Sequence, residues 1–219
     1  MLNKLLGWVV PVLVPAALLM AAVRILMTPA FVRLEYQMPN FPDDKYGFTQ
    51  QDRLKLAPVA LEYLLNNSEI SFLGDLKFED GTDLYNDREL SHMADVKDLT
   101  QRGLNLWYVL LAFFAILGIW SRRAGWWLSY KSLLSKGGKY TTYFIGILLV
   151  VIIIGFNFIF TGFHRIFFEG DTWLFLFSDT LIRLFPMRFW QDAFIFLGLL
   201  TLIAGLAFWY FLRGNHNSS

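Results

Sequence analysis

Four stretches of the chain, residues 5–27, 104–121, 140–161 and 193–212, are nearly free of charge and apolar along their length. Roughly 20 helical residues cross the hydrocarbon of a bilayer, so each stretch predicts a membrane span. In lipid a span must be helical, because each backbone N–H and C=O needs a partner within the segment. That requirement overrides local propensity at Ile147–Ile154, whose branched residues would form a strand in water. The first stretch has some marks of a secretory leader, with Lys4 ahead of it and Ala21-Ala22 like a cleavage site. Its apolar run to Met27 is long for a leader, and we read it as a retained span kinked at Pro11 and Pro15.

The polar segments between the spans differ in sign. Residues 122–139 carry Arg122, Arg123, Lys131, Lys136 and Lys139 and no acid. Residues 28–103 carry 8 basic and 14 acidic side chains, and residues 162–192 carry 3 and 4. The excess of Lys and Arg places 122–139 in the cytoplasm as a loop, with both termini on the same side and the two longer loops outside. The expected architecture is a single all-α membrane domain over 1–219. It has four transmembrane helices, a structured, mostly helical outer loop at 28–103 and a second outer loop at 162–192.

Within the first outer loop, Thr49 is placed to cap a helix reaching Asn66 or Asn67, with Leu54, Leu61, Leu64 and Leu65 as its apolar face. Ile70–Leu73 and Leu76–Phe78 flank Gly74-Asp75 and predict a small hairpin. Glu79–Asp83 is a turn, and Asn86 or Asp87 starts a helix that runs on into the second span. The second outer loop has nine aromatic residues in 31, among them Phe163, Phe167, Phe168, Trp173 and Phe175. A solvated loop would not carry that density, so it is expected to lie in the interface or dip back against protein. Ser178 is placed to cap a short helix ended by Pro186.

Composition narrows the chemistry. The chain is 56% hydrophobic and 17% charged, with a net charge of +1, which carries no nucleic-acid signature. Cys is absent, which removes thiol nucleophiles, disulfides and Cys-ligated metals. No G-x-S-x-G elbow supports a serine nucleophile, and Ser91, next to His92, diverges from it on a helix. Gly137-Gly138 and Gly155 have no phosphate-loop context and read as turn and packing features.

Histidine is scarce: His92, His164 and, in the polar tail, His216. His92 precedes the second span and His164 follows the third, so the topology brings both to the same face of the membrane. Glu89 and Asp95, three residues either side of His92 on a helix, are candidates to orient it. Two unrelated interfacial histidines remain an alternative, as do two histidines plus a carboxylate around a metal, although no H-x-x-H or HExxH pair is present.

Glu89-Leu90-Ser91-His92-Met93-Ala94-Asp95-Val96-Lys97 resembles an outer-loop motif of the lipoprotein intramolecular transacylase family. So do Phe163-His164-Arg165-Ile166-Phe167-Phe168, the following Trp173 and Asp179–Pro186. The resemblance covers most of the chain, four-span layout included. It departs at Phe175-Leu176-Phe177, where it implies a more polar stretch. It implies an enzyme of the bacterial cytoplasmic membrane that needs no cofactor or metal. Its partners would be diacylglyceryl-modified lipoproteins and membrane lipid. The implied reaction moves an sn-2 acyl chain to the α-amino group of the lipoprotein's N-terminal Cys, giving a lyso-form. His92 and His164 are the implied catalytic residues.

The chemistry suits those residues. A neutral imidazole near pKa 6.5 can take a proton from an amine of pKa about 8 as it attacks, and return it to the departing alkoxide. Glu89 or Asp95 near His92 would raise its pKa, and burial would lower it. Arg165 or Arg183 would hold a carbonyl or headgroup, and Phe163, Phe167, Phe168 and Trp173 would seat acyl chains. Lipid or lipoprotein ester hydrolysis, and non-catalytic lipid or partner binding, stay open as alternatives.

Overall fold

A computed structural model describes residues 2–213; His216 lies outside them. It contains α1 (Leu2–Leu26), α2 (Pro29–Tyr36), α3 (Gln50–Leu65), α4 (Ser71–Gly74), α5 (Asp87–Arg123), α6 (Trp127–Phe167), α7 (Thr180–Leu184) and α8 (Met187–Phe211). Among the described residues there is no strand, only an isolated bridge between Lys77 and Asp83. Helices α1, α5, α6 and α8 are long and apolar enough to cross a membrane, as the four uncharged stretches predict. The expected 122–139 loop is mostly helix: a turn at 124–126 separates α5 from α6, and Lys131, Lys136 and Lys139 ride on the first turns of α6.

The chain divides into two compact units. The first comprises residues 1–24, 104–154 and 195–219. Its interior is thin, as expected where lipid covers the outer faces: Val10, Val14 and Ile145 are buried, while Ile119, Ile147, Ile153 and Ile203 are exposed. Close helix approach comes from small residues. A Cβ on Gly137 would stand 2.5 Å from Val14 of α1, and one on Gly138 would stand 2.6 Å from the Gly205 carbonyl of α8. The glycine pair is therefore a packing feature inside a helix and not a turn. Trp107 Nε1 donates to the Ala17 carbonyl at 3.0 Å, and Tyr130 to that of Phe114 at 2.7 Å.

The second unit comprises residues 25–103 and 155–194. It begins again at Gly155, where α6 loses helical geometry (φ −138°, ψ 45°). Its core gathers Ala60, Tyr63, Leu73, Leu84, Tyr85, Met93, Leu181 and Leu184. Thr49 caps α3 with Asp52 reciprocating, the capping box of a helix start. The buried face of α3 is Arg53, Ala57, Ala60 and Tyr63, so the leucine face expected from sequence is only partly covered. Small residues sit where a neighbour approaches closely, and the leucines flank that line. The predicted hairpin at 70–78 does not form. Ser71–Gly74 is a single helical turn that drives Leu73 into the core, and the chain folds back one step later, Leu84 N–H donating to the Leu76 carbonyl at 2.9 Å. Short apolar runs do not distinguish a strand from a buried turn of helix.

Candidate active site

The start of α5 is built by Asn86 and Glu89. Asn86 Oδ1 accepts the Glu89 amide at 3.1 Å, and Glu89 Oε2 accepts the Asn86 amide at 2.9 Å, so each satisfies an orphan donor of the helix end. The second Glu89 oxygen reaches α7 and accepts the Leu181 amide at 2.6 Å. Thr180 Oγ1 donates to the Leu84 carbonyl beside it. Asp179, the residue before α7, turns its carboxylate back to the Leu176 amide at 2.8 Å, where Ser178 was expected to cap. One buried glutamate thus fixes the helix that carries His92 against the end of the loop that carries Trp173 and Phe175.

On that frame the two histidines meet. The His92 and His164 rings are stacked, centroids 6.0 Å apart and planes 20° from parallel. Phe168 and Phe175 stand edge-on to His92 at 4.9 and 5.3 Å. Phe160 and Trp173 lie against His164 at 4.2 and 5.0 Å. His164 Nδ1 is 2.7 Å from the Phe160 carbonyl oxygen, which assigns the proton of the neutral ring to Nδ1 and leaves Nε2 a free lone pair.

Both histidines lie beyond the apolar stretches 104–121 and 140–161, in a setting that disfavours charge. Burial pushes His92 down to about 4, and His164 acts in the same direction. Burial also lowers His164, partly offset by its bond to Phe160. A neutral imidazole accepts a proton and a protonated one returns it, so a stacked neutral pair has the make-up of a base and acid.

His92 Nδ1 and Trp173 Nε1, whose rings meet at this site, are buried without a hydrogen-bond partner, and so is Thr172 Oγ1, one residue before Trp173. Leaving a buried donor unmade costs about 1–3 kcal/mol, so such atoms are rare unless something else engages them. An aromatic enclosure with two neutral bases and unspent donors suits an acyl group whose carbonyl becomes an oxyanion.

The other sequence candidates fall in different places. Glu89 spends both oxygens on backbone amides and makes no bond to His92; Asp95 is exposed on α5. No carboxylate is thus positioned to raise the His92 pKa, and burial prevails. Arg183 is engaged within the protein, its guanidinium 3.1 Å from Asp44 and 3.6 Å above the Phe48 ring. Arg165 is exposed. Phe163 packs edge-on to His164 at 5.6 Å and Phe167 is tilted against Phe163 at 4.8 Å. Among the described residues no group of three His, Cys, Asp or Glu converges. Phe175, the departure from the expected polar stretch, is a wall of the histidine site.

Two charged residues are buried in places that residue spacing does not foretell. Arg53 donates to the carbonyls of Pro42 (2.6 Å) and Arg183 (2.9 Å) and ties the 38–49 segment to α7. Glu35 is fully buried with neither oxygen bonded within 3.5 Å. Burial, then the neighbouring Asp192, raises its pKa to about 8.

The family model for lipoprotein intramolecular transacylase Lit matches residues 8–190. A protein of Aquifex aeolicus (strain VF5), described as uncharacterised, is 30% identical over 207 residues, covering 94% of this chain and 92% of that one. The fold is similar to the in meso structure of the membrane integral lipoprotein intramolecular transacylase Lit from Bacillus cereus. That match has a TM-score of 0.68 at 19% identity over 97% of this chain and 94% of that one. A histidine-to-alanine variant of the same protein gives a TM-score of 0.72 at 20% identity, covering 97% and 92%.

Proposed function

Because this chain belongs to the lipoprotein intramolecular transacylase family, we propose that it moves the sn-2 acyl chain of a diacylglyceryl-modified lipoprotein to the α-amino group of that lipoprotein's N-terminal Cys. The observation that carries this reading is the stacked, neutral His92–His164 pair in an aromatic enclosure with unspent donors beside it. The neutral amine attacks the ester carbonyl carbon and forms the C–N bond. A histidine takes the amine proton. The carbonyl oxygen, now negative, is held by the Trp173 indole N–H and the Thr172 hydroxyl. The C–O bond to glycerol then breaks, and the protonated histidine returns the proton to the glyceryl oxygen. No acyl-enzyme is needed, in keeping with the absence of Cys. Donor and acceptor belong to one molecule, so orientation lowers the barrier further. Phe163, Phe167, Phe168 and the indole face of Trp173 seat the acyl chains, and exposed Arg165 meets a headgroup or backbone carbonyl.

The charge pattern supports an extracytoplasmic site with both termini in the cytoplasm of a bacterial envelope. The test uses the purified protein and a dipalmitoyl lipopeptide. Transfer leaves the mass unchanged, so product is read by fragmentation that locates one acyl chain on nitrogen and by loss of amine reactivity. His92→Ala and His164→Ala should each abolish turnover with the fold intact, and His216→Ala should not. Full turnover by either of the first two variants sinks the proposal, and release of free fatty acid identifies a hydrolase instead.

A further inference from the structure

All 18 carboxylates of the chain fall within residues 28–103 and 162–192, so the first unit contains no Asp or Glu. It nevertheless carries Arg122, Arg123, Lys131, Lys136, Lys139 and Arg213 at the α5–α6 turn, on early α6 and at the end of α8. The four side-chain ion pairs among the described residues all lie in the other unit. Arg122, Arg123, Lys131, Lys136, Lys139 and Arg213 therefore have no Asp or Glu of their own unit to pair with.

Several of them are held in place all the same. Lys136-Gly137-Gly138-Lys139 lies where α6 touches α1 through Gly137 and α8 through Gly138. The flanking lysines consequently stand on aromatic platforms of those two helices. Lys136 Nζ is 5.6 Å from the Trp8 ring of α1 and 5.8 Å from Tyr140. Lys139 Nζ is 5.7 Å from the Trp209 ring of α8 and 5.9 Å from Tyr143. The Arg213 guanidinium stands 5.0 Å from Trp209 as well. Lys136, Lys139 and Arg213 are exposed. A ring face attracts a cation but leaves its N–H donors free for an anion.

We propose that this end of the unit is a binding site for the phosphate of an anionic phospholipid headgroup. Lys139 and Arg213 clasp it beside Trp209, and Lys136 adds a second contact on the α1 side. The partner is a lipid and not a soluble anion, because the same helices expose apolar faces to hydrocarbon immediately below, including Phe144 and Ile147. Basic clusters at membrane helix ends recognise such headgroups.

The full-length protein in nanodiscs of phosphatidylcholine, with or without phosphatidylglycerol, tests this by native mass spectrometry of retained lipid. Wild type should retain phosphatidylglycerol over phosphatidylcholine, and Lys139→Gln/Arg213→Gln should weaken that retention about tenfold or more. Lys139→Arg/Arg213→Lys keeps the charge and should retain the lipid even if the Gln pair folds poorly. Equal retention of the two lipids by wild type, unchanged retention by a folded Gln pair, or loss of retention in the charge-keeping pair each overturns the proposal. So does displacement of the lipid by millimolar inorganic phosphate, which would mark a general anion site.

Discussion

The Glu89 carboxylate accepts the amide of Leu181 at 2.6 Å, across 92 residues of sequence. The same carboxylate closes the first turn of the helix bearing His92. Glu89→Ala would leave the buried Leu181 amide without a partner and uncap the first turn of α5 at exposed Asn86, and we expect a loss of about 1–3 kcal/mol of stability. Activity should fall with it through misplacement of His92. Glu89→Gln keeps one acceptor oxygen and should recover part of both. Thermal unfolding in detergent and lipopeptide turnover measure the two effects, and a fully active Glu89→Ala would remove its positioning role.

Trp173 is expected to matter through its N–H and not only its ring. Trp173→Phe retains an aromatic surface against His164 but deletes the unpartnered donor. Loss of one oxyanion donor typically lowers kcat about 100-fold. KM for the lipopeptide should change little if the acyl chains remain seated. A large KM increase at unchanged kcat would assign Trp173 to substrate binding alone.

The pH dependence follows from burial. A neutral histidine base fails once protonated, and the folded His92 value is near 4, below the ordinary 6.5. The enzyme's own acidic limb should therefore lie below about pH 6.5, not at it as a solvated imidazole would give. The substrate amine imposes a separate loss below about pH 8. A hydroxyl analogue of the substrate removes that second loss, so its rate should hold down to about pH 5 before falling. A limb at 6.5 with the analogue would contradict a buried His92, and a flat profile down to about pH 3 would contradict a histidine base. Stability shifts in the same range. Unfolded His92 binds a proton below about 6.5 while folded His92 does not until about 4, so the fold weakens as pH falls through that window.

Orientation is open to cysteine labelling, since the chain has no Cys to remove. Asp80→Cys and Asp171→Cys, both at exposed positions, should react with an impermeant maleimide in intact cells, and Ser132→Cys only after permeabilisation. Thr172 is a poorer reporter because its hydroxyl is buried. The reverse labelling pattern would invert the topology.

Much of this was legible in the residues. Hydropathy placed the four long helices because length and lack of charge decide in lipid. The scarcity of histidine, with His92 and His164 expected at the same membrane face, singled out the pair. The partners of Glu89 were not legible. Spacing put it beside His92 on the helix surface, but a contact with Leu181 depends on how α7 docks. The same holds for Arg183, whose pairing with Asp44 requires the fold. The face of α3 escaped a reading by hydrophobicity because close approach selects Ala57 and Ala60 over the leucines. Glu35 gave no signal, since an acidic residue in an acidic loop looks solvated.

The segregation of every carboxylate to one unit bears on how the protein enters the membrane. With residues 28–103 outside, as proposed, a segment of net charge −6 has to be exported across a bilayer that is negative within. Each elementary charge moved through 100 mV is worth about 2.3 kcal/mol, so the resting potential drives this segment outward by an amount on the order of 10 kcal/mol. Insertion of this chain should accordingly slow when an uncoupler collapses the potential, with the acidic loop drawn outward as an electrophoretic load while the Lys and Arg of 122–139 hold the opposite side.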